Sequence, residues 1–319
     1  AAASDVYKRQ EDGGLGGGPI ELMLVMEQIG RGLVVEPFLA NIVLAGGILN
    51  RAANRDQKAE WLTPLIAGEL HAGLAFAEPQ ARFNIADIAT IAAADGDRFL
   101  LNGRKNLVLN GATADLLIVP ARTSGKQTDR DGVSLFAIPA DTPGIKCNGY
   151  PTVDALQAAD LSFDNVPIPE DALLGELHKG FDTFSRTIDD ATLAVSAEAV
   201  GIMQVMHDKT VEYTKTRKQF GVPIGTFQAL QHRMVDTMTA CEQSRSLLYW
   251  AVMLAAADDP SSGQAISAIK YQVGSAGIHV AREAVQLHGG MGVTWELDIG
   301  HYLKRITAID ILFGNADYH

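Results

Sequence analysis

The feature that most constrains the fold of this chain is a change in hydrophobic periodicity along its 319 residues. After Pro19, a residue suited to the first turn of a helix, Leu22, Met26 and Ile29 recur at helical spacing. From residue 72 to about residue 175, short apolar runs alternate with turn-forming residues, which is typical of strands. The helical spacing then returns. This order of helices, strands and helices predicts an α+β protein with several domains.

The middle segment predicts a small β-barrel or β-sandwich. The Asp-Gly-Asp sequence at 95–97 and the Asn-Gly sequence at 102–103 are hairpin-type turns. We expect strands at the apolar runs near and after these turns: residues 99–101, 107–109, 116–119 and 133–138. Five prolines predict loops in the later part of the segment: Pro139, Pro143, Pro151, Pro167 and Pro169.

The last segment predicts a four-helix bundle. From Phe181 onward, four stretches with helical spacing are separated by breaks at 221–223, 258–263 and 289–290, and the fourth stretch covers 295–312. We therefore expect four segments along the chain. They are a sequence-end artefact at 1–10, a partial N-terminal helical domain at 11–71, a middle β domain at 72–175 and a C-terminal helical bundle at 176–319.

Composition and charge exclude several classes of protein. The net charge is −12 and no cluster of Lys and Arg is visible, which argues against a nucleic-acid partner. The two cysteines, Cys147 and Cys241, lie in unrelated contexts, so we expect free thiols in a reducing, cytoplasmic compartment. The chain contains no uninterrupted apolar run of about 18 residues, so we expect no membrane span.

Two clusters interrupt the C-terminal helices with residues that packing alone does not require. Residues 216–228 place Arg217, Phe220 and a glutamine around a Gly-Val-Pro-Ile-Gly turn, and residues 286–292 place a glycine-rich break directly after an amphipathic helix. Each cluster also has a plainer explanation. Arg217 can be a solvated cation that complements the negative end of a helix, and the glycines can be a helix C-cap.

Together with the Ala-Phe-Ala-Glu-Pro sequence at 75–79, these clusters resemble the acyl-CoA dehydrogenase family of flavoproteins. The particular likeness is to the small subunit of pimeloyl-CoA dehydrogenase and related two-subunit members. The resemblance implies an acyl-CoA dehydrogenase-like fold with truncated N-terminal helices. It also implies a bound FAD, which accepts a hydride from the β-carbon of an acyl-CoA thioester while a carboxylate removes the α-proton.

The resemblance also implies which residues contact the FAD, and it implies no metal. In the family, the Arg at the position of Arg217 reaches the FAD diphosphate from a neighbouring subunit, a task that suits a charged guanidinium fork. The matching family positions are Arg217, Phe220, Gln228, Gln286, Gly289 and Gly290 for the outer contacts, and Phe76, Ala77, Leu107 and Leu109 near the flavin ring. This chain departs from the family near the ring. A Thr is usual at Ala77, and Trp-Ile-Thr is usual where residues 107–109 are Leu-Val-Leu.

The catalytic base is missing from both family positions. Most members carry a Glu where this chain has Phe313, and others carry it where this chain has Ala191. The nearby carboxylates that we consider as replacements are Asp189, Asp190 and Asp310. One step along a helix rotates a side chain by about 100°, so Asp190 and Asp189 are expected to point away from the family direction.

We therefore expect a flavin-dependent acyl-CoA dehydrogenase that acts as the small subunit of a heteromer, with a larger subunit that supplies the base. Self-association remains open, and a flavoprotein is the expected electron acceptor. The alternative is a catalytically silent structural subunit of such a complex. A ligand-free helical scaffold is a third alternative, which would leave both clusters without a purpose. The resemblance also implies additional helices before the Gly13-Gly14 loop and a continuation beyond the Phe313-Gly314 region.

Overall fold

The computed structural model of the chain describes Gly14 and residues 16–319, so the expected artefact at 1–10 lies outside the described residues. Contacts group the described chain into two compact units. One contains Val35–Ala191, and the other contains Pro19–Val34 with Thr192–His319. The first helix therefore groups with the C-terminal helices, although the sequence places it in an N-terminal segment. The four-segment division stays a prediction.

The described helices and strands follow the expected order. The helices are α1 (Pro19–Gly32), α2 (Gly46–Ala52), α3 (Arg55–Gln57), α4 (Thr63–Ala67), α5 (Phe181–Thr216), α6 (Gln228–Ala256), α7 (Ser262–His288) and α8 (Ile299–Ile311). The strands are β1 (Ala72–Leu74), β2 (Ile91–Asp95), β3 (Arg98–Leu109), β4 (Leu116–Arg122), β5 (Val133–Pro139), β6 (Ile145–Pro151), β7 (Gln157–Pro169), β8 (Leu173–Leu174), β9 (Lys218–Gln219) and β10 (Val222–Pro223).

In the first unit, an eight-stranded sheet forms the middle of the chain. Its order is β6-β7-β3-β2-β4-β5-β8, and β1 pairs in parallel with β4. The Asp-Gly-Asp turn is confirmed, because Asp95 pairs with Arg98 across a tight hairpin and Gly96 has a φ of +67°. Alternate side chains of the strands form one apolar core, in which Phe99 and Phe136 have ring centroids 5.2 Å apart.

The predicted turn at residues 102–103 is wrong. The two runs at 99–101 and 107–109 belong to one strand, β3, and Asn102 and Gly103 lie inside it. The β3–β7 register shifts between Leu101 and Gly103, which marks a bulge. Gly103 has a φ of +153°, and an added Cβ would lie 2.5 Å from Thr90 Oγ1. Asn-Gly here serves a bulge with a close neighbour rather than a hairpin.

The expectation that prolines mark the later loops is also only partly correct. Four of the five prolines lie inside or at the end of strands. Pro139 ends β5, Pro151 ends β6, Pro169 ends β7, and Pro167 lies within β7 opposite Leu100. Proline is tolerated at strand ends and bulges because it removes only one ladder hydrogen bond. The 13-residue strand β7 was therefore hidden from a pattern-based prediction.

In the second unit, α1 packs against α5 at two reciprocal glycines. An added Cβ on Gly30 would overlap the carbonyl oxygen of Glu198, and one on Gly201 would overlap that of Glu27. The backbones thus touch directly at the crossing. Beside it, the Glu198 carboxylate forms a buried, two-pronged ion pair with the Arg305 guanidinium of α8.

The remaining sequence-based expectations concern the last helix, the cysteines and membrane spans. Helix α8 begins at Ile299, four residues later than predicted, and Trp295 remains exposed before it. Cys147 is exposed, Cys241 is buried, and both are free thiols. Burial raises the pKa of Cys241 to about 12, so this thiol is inert at neutral pH. None of the helices among residues 16–319 is long and apolar enough to cross a membrane.

Candidate active site

The first candidate cluster lies where the 36-residue helix α5 ends. The amide of Arg217 donates to the Tyr213 carbonyl at 2.9 Å, and the Arg217 carbonyl accepts from the Ile224 amide at 2.8 Å. Arg217 is exposed. Among the described residues, no carboxylate forms an ion pair with its guanidinium. Arg217 therefore has a fixed backbone and an available charge.

The hairpin after Arg217 presents an aromatic ring to solvent. Strands β9 and β10 are joined by Phe220 and Gly221, with φ values of +55° and +83°, as a type I′ turn requires. A bulky residue at positive φ is strained, and Phe220 is also 92% exposed. Its ring centroid lies 6.2 Å from that of Phe227, in an edge-on arrangement. Gln228, the first residue of α6, is exposed beside this hairpin. Packing within the chain does not explain this placement of Phe220.

The second cluster follows the end of α7, and its glycines have different roles. Gly289 has a φ of +58° and caps the helix, because its amide donates a hydrogen bond to the Gln286 carbonyl. Gly292 is needed for packing, since an added Cβ would lie 2.6 Å from the Val285 carbonyl oxygen. Gly290 has neither constraint: nothing lies within 4 Å of an added Cβ, and the residue is exposed. Its backbone is open to a ligand.

The structure brings these two clusters to the same end of the helices. One helical turn before Arg217, the ring of Tyr213 stacks on the ring of His288, with centroids 4.4 Å apart and planes 29° apart. The Tyr213 hydroxyl donates to the His288 carbonyl at 3.3 Å. His288 directly precedes Gly289, and Gln286 is exposed on the last turn of α7. The ends of α5 and α7, which lead into Arg217 and the Gly289-Gly290 turn, are therefore in contact through Tyr213 and His288. A guanidinium and an open glycyl backbone are both groups that suit a diphosphate.

In the first unit, the two segments predicted near the flavin ring are joined by a buried ion pair. Lys105 Nζ lies 2.7 Å from Glu78 Oε1, and the Asn106 amide donates to the Ala77 carbonyl at 2.9 Å. Burial opposes ionisation of Glu78, but Lys105 holds its pKa below the usual value. The segment that contains Ala77 is thus fixed against β3. Phe76 continues this segment, and its ring lies 6.1 Å from that of Phe184.

The end of β3 is irregular at the positions where the family carries its flavin-facing residues. Leu107 has a φ of +50° in a second bulge, and its amide donates to Asp160 Oδ1 at 3.1 Å. Leu109, two residues later, is buried. Asn106 Oδ1 is buried and has no hydrogen-bond partner among the described residues. A buried acceptor without a partner can accept a hydrogen bond from water or from a ligand, so Asn106 fits the polar edge of a flavin.

The three carboxylates that we consider as replacements for the missing base have different surroundings in the structure. Asp190 is engaged, because its Oδ2 accepts a hydrogen bond from Arg51 Nη2. Asp189 is exposed, and burial of its neighbourhood and the adjacent Asp190 raise the pKa of its carboxyl to about 6, against the effect of Arg186. Because Asp189 is exposed, water screens these charges. A carboxyl with a raised pKa can exchange a proton near neutral pH, and the role of Asp189 as the base stays a prediction.

Asp310 is part of the support for the C-terminal turn. Its Oδ1 accepts from the Ala316 amide at 3.1 Å. Lys270, fully buried, donates to the carbonyls of Asp310 and Gly314, and burial lowers its pKa to about 8 while the Asp310 carboxylate opposes the shift. These contacts favour a structural role for Asp310, and its catalytic role stays a prediction.

The two family base positions lie in well-defined surroundings. Ala191 is completely buried in α5. Phe313 has a φ of +59° directly before Gly314, whose φ is +112°. His319 Nε2 and the Phe313 carbonyl are 3.1 Å apart, so the turn is held from both sides. Neither position carries a group that can accept a proton. Within the described residues, no cluster of His, Cys, Asp and Glu is arranged to hold a metal.

The fold and the donor groups define a class: a flavin-dependent oxidoreductase that acts on CH–CH bonds with FAD as its cofactor. Family models for the three parts of acyl-CoA dehydrogenases match the chain. The N-terminal domain matches residues 5–69, the middle domain 73–166 and the C-terminal domain 178–319. The chain belongs to the acyl-CoA dehydrogenase family.

Individual relatives agree with this assignment. A probable acyl-CoA dehydrogenase of Bacillus subtilis, YngJ, is 30% identical over 97% of this chain and 82% of its own length. The structure of butyryl-CoA dehydrogenase from Megasphaera elsdenii is similar with a TM-score of 0.91 at 27% identity, over 99% of this chain and 84% of that one. The FAD complex of PigA gives a TM-score of 0.93 at 26% identity over the same shares.

Two supporting residues escaped the sequence analysis. Tyr213 precedes Arg217 by four residues, and residues at this spacing share one helix face. That spacing was a usable signal for a residue that acts with Arg217. Lys270 gave no signal, because a lysine within an amphipathic helix predicts exposure and its burial depends on carbonyls about 40 residues away.

Proposed function

We propose that this chain is the small subunit of a heteromeric acyl-CoA dehydrogenase, in which a larger partner chain supplies the catalytic carboxylate. Bound FAD supplies the hydride acceptor in such an enzyme. This chain binds and orients that cofactor through Arg217 and the backbone around Gly290. The pimeloyl-CoA dehydrogenase type is the proposed subtype, with an acyl-CoA thioester as substrate.

The observation that carries this proposal is the identity of the residues at the two base positions. Phe313 and Ala191 stand where the family carries its Glu, while Arg217 and Gly290 are exposed and Gly290 has open space around it. Removal of an α-proton needs a basic group within hydrogen-bond reach of the carbon. A chain that holds the cofactor but lacks this group is complete only with a partner.

Exposed apolar side chains support the presence of such a partner. Phe220 is 92% exposed on its strained turn, and Val293 and Trp295 are 76% and 74% exposed after the Gly289 break. We assign these side chains to the surface that contacts the partner, since contiguous exposed apolar residues mark interaction sites. A flavoprotein that accepts the electrons from the reduced FAD is a second, transient partner in our proposal.

The test is to purify the chain alone and together with the larger subunit. With FAD added, we expect the isolated chain to turn yellow, yet to show little acyl-CoA-dependent bleaching under anaerobic conditions with a panel of CoA thioesters. The two-chain complex should bleach readily. Fast turnover by the isolated chain contradicts the proposal.

A second candidate, a structural subunit without catalytic function, is favoured by the inner positions. Leu107 and Leu109 replace the Trp and Thr of the family, so the ring loses an aromatic shield and a hydroxyl contact. Flavin content distinguishes the candidates. A complex in which this chain remains colourless, with all FAD held by the partner, favours the structural subunit.

A further inference from the structure

We propose that Tyr213 is a positioning residue for the cofactor: it fixes the Arg217 end of α5 against the Gly289-Gly290 turn, so that both can grip one diphosphate. This inference rests on the proposed cofactor role of the two clusters. It adds a residue that touches neither the cofactor nor the substrate and acts through Arg217.

The contacts of Tyr213 connect the two clusters directly. Its ring stacks on His288 at 4.4 Å, its hydroxyl donates to the His288 carbonyl at 3.3 Å, and its own carbonyl accepts from the Arg217 amide at 2.9 Å. His288 and Gly289 are neighbours in the chain. A displacement of the Tyr213 ring therefore moves Arg217 and the glycyl turn relative to each other.

The His288 ring is itself held in one orientation. It is buried, and its Nδ1 lies 2.8 Å from the Ala284 carbonyl, which can only accept, so this nitrogen carries the proton. Burial lowers the pKa of His288, against the effect of this hydrogen bond. The ring is thus neutral at pH 7 and forms a flat, fixed surface for Tyr213 to stack on.

Electrostatics explain why such positioning is needed. Helices α5 and α7 both end here, and helix C-termini carry partial negative charge and unpaired carbonyls. The Tyr213 hydroxyl satisfies one of these carbonyls. A diphosphate is repelled by two helix C-termini unless a cation lies close, so the attraction depends on where the Arg217 guanidinium is placed. A shift of about 1 Å in such a group lowers binding or rate strongly.

The experiment measures the FAD affinity of the chain by quenching of flavin fluorescence, together with a thermal melt of each variant. We expect Tyr213→Leu to weaken FAD binding by about tenfold, and Tyr213→Phe, which keeps the stack, by less than about threefold. Tyr271→Leu is the matched control, because Tyr271 lies on α7 and is 53% exposed. It should leave the affinity unchanged.

A double variant tests whether Tyr213 acts through Arg217. If it does, the two substitutions are not additive: Tyr213→Leu lowers FAD affinity less in the Arg217→Ala background than in the unsubstituted chain, since the guanidinium to be positioned is absent. Where Tyr213→Leu fails to fold, His288→Leu against His288→Phe makes the same comparison from the other ring: Phe should retain affinity and Leu should lose it.

Three results would overturn the inference. If Tyr213→Leu and Arg217→Ala weaken binding independently, or if Tyr213→Leu behaves as Tyr271→Leu does, Tyr213 is not a positioning residue, and the cofactor role of Arg217 stands. If the wild-type chain binds no FAD, alone or with its partner, the inference and the proposed function both fail.

Discussion

The region around Arg217 and Gly290 and the two base positions, Phe313 and Ala191, differ in how many residues their functions depend on. In our proposal, cofactor binding at the first depends on several local conformations together: a type I′ turn at Phe220, a positive φ at Gly289 and a stacked pair of rings. Catalysis at the second depends on one carboxylate. A single substitution removes a base, whereas the binding geometry requires many coordinated changes to disappear. A chain can therefore lose its base and still keep a recognisable cofactor site.

The sharpest test of this comparison is to return a carboxylate to the Phe313 position. We expect Phe313→Glu to raise acyl-CoA dehydrogenation by the isolated chain by about 10²- to 10⁴-fold, the usual contribution of a general base. Backbone strain should change little, because Phe313 already occupies a φ of +59°. Turnover and flavin bleaching are the measurements.

Phe313→Gln is the control, because it has the size of Glu and no basic oxygen. A gain with Gln as large as that with Glu would show that polarity or space, rather than proton abstraction, was limiting. No gain with Glu would place the missing function elsewhere.

The next largest effect is expected at the binding end. Arg217→Ala should weaken FAD binding by about 10- to 100-fold, because hydrogen bonds to charged groups contribute about 1.5–3 kcal/mol. Arg217→Lys should lie between, since it keeps the charge and loses the two-pronged geometry. Equilibrium titration with FAD measures both. Lys215→Ala is the matched control, because Lys215 is an exposed cation of the same helix end that already pairs with Glu212.

The glycines offer a finer test of the same end. Gly290→Ala should lower FAD affinity by about tenfold while unfolding free energy changes by less than about 0.5 kcal/mol, because the added methyl meets open space in the chain itself. Gly289→Ala should instead cost about 1–3 kcal/mol of stability, since it forces an alanine to a positive φ. Urea unfolding and FAD titration separate the two. Equal stability losses at both positions would mean that Gly290 serves only the fold.

These expectations show where sequence reasoning was sufficient. Helical spacing located α5, α6 and α7, because a long amphipathic stripe has few alternative structures. The Asn-Gly sequence in β3 led to a wrong prediction of a hairpin turn. A bulge and a hairpin both favour glycine, and only the pairing with strand β7 distinguishes them. Strand β7 is about 60 residues later in the sequence, and its prolines indicate a loop rather than a strand.

The site shows the same division between local and distant information. Arg217 and Gly289 were predicted from residues close to them in the chain. The stack of Tyr213 on His288 joins residues 75 apart, and the burial of Lys270 depends on carbonyls at the chain's C-terminal turn. No local pattern encodes such contacts. The pairing of Asp190 with Arg51, which weakens Asp190 as a base candidate, spans 139 residues.

The smallest expected effect concerns Asp189 and pH. Its pKa is raised from 3.8 to about 6, so the folded chain binds this proton more tightly than the unfolded chain does. Stability therefore falls as pH rises from about 4 to about 6, and Asp189→Asn should flatten that part of the profile. Thermal melts at several pH values measure it. The effect is small, because Asp189 is exposed.

Kinetics of the same variant bear on the base. If the partner supplies the carboxylate, Asp189→Asn leaves turnover of the two-chain complex nearly unchanged. A loss of more than about 10²-fold, together with activity in the unmodified enzyme that rises with pH through about 6, would identify Asp189 as the base instead.

The contact between α1 and α5 has a consequence for how this protein can vary. Glu198 contributes to two interfaces: its carbonyl faces Gly30, and its carboxylate holds the buried Arg305 guanidinium. A methyl group on Gly30 would overlap the Glu198 carbonyl and displace the Glu198 backbone. The Glu198 carboxylate would then move away from the Arg305 guanidinium. An isolated buried charge is far more costly than a lost contact. Gly30, Glu198 and Arg305 should therefore be inherited together, and a lineage that replaces one must rebuild all three.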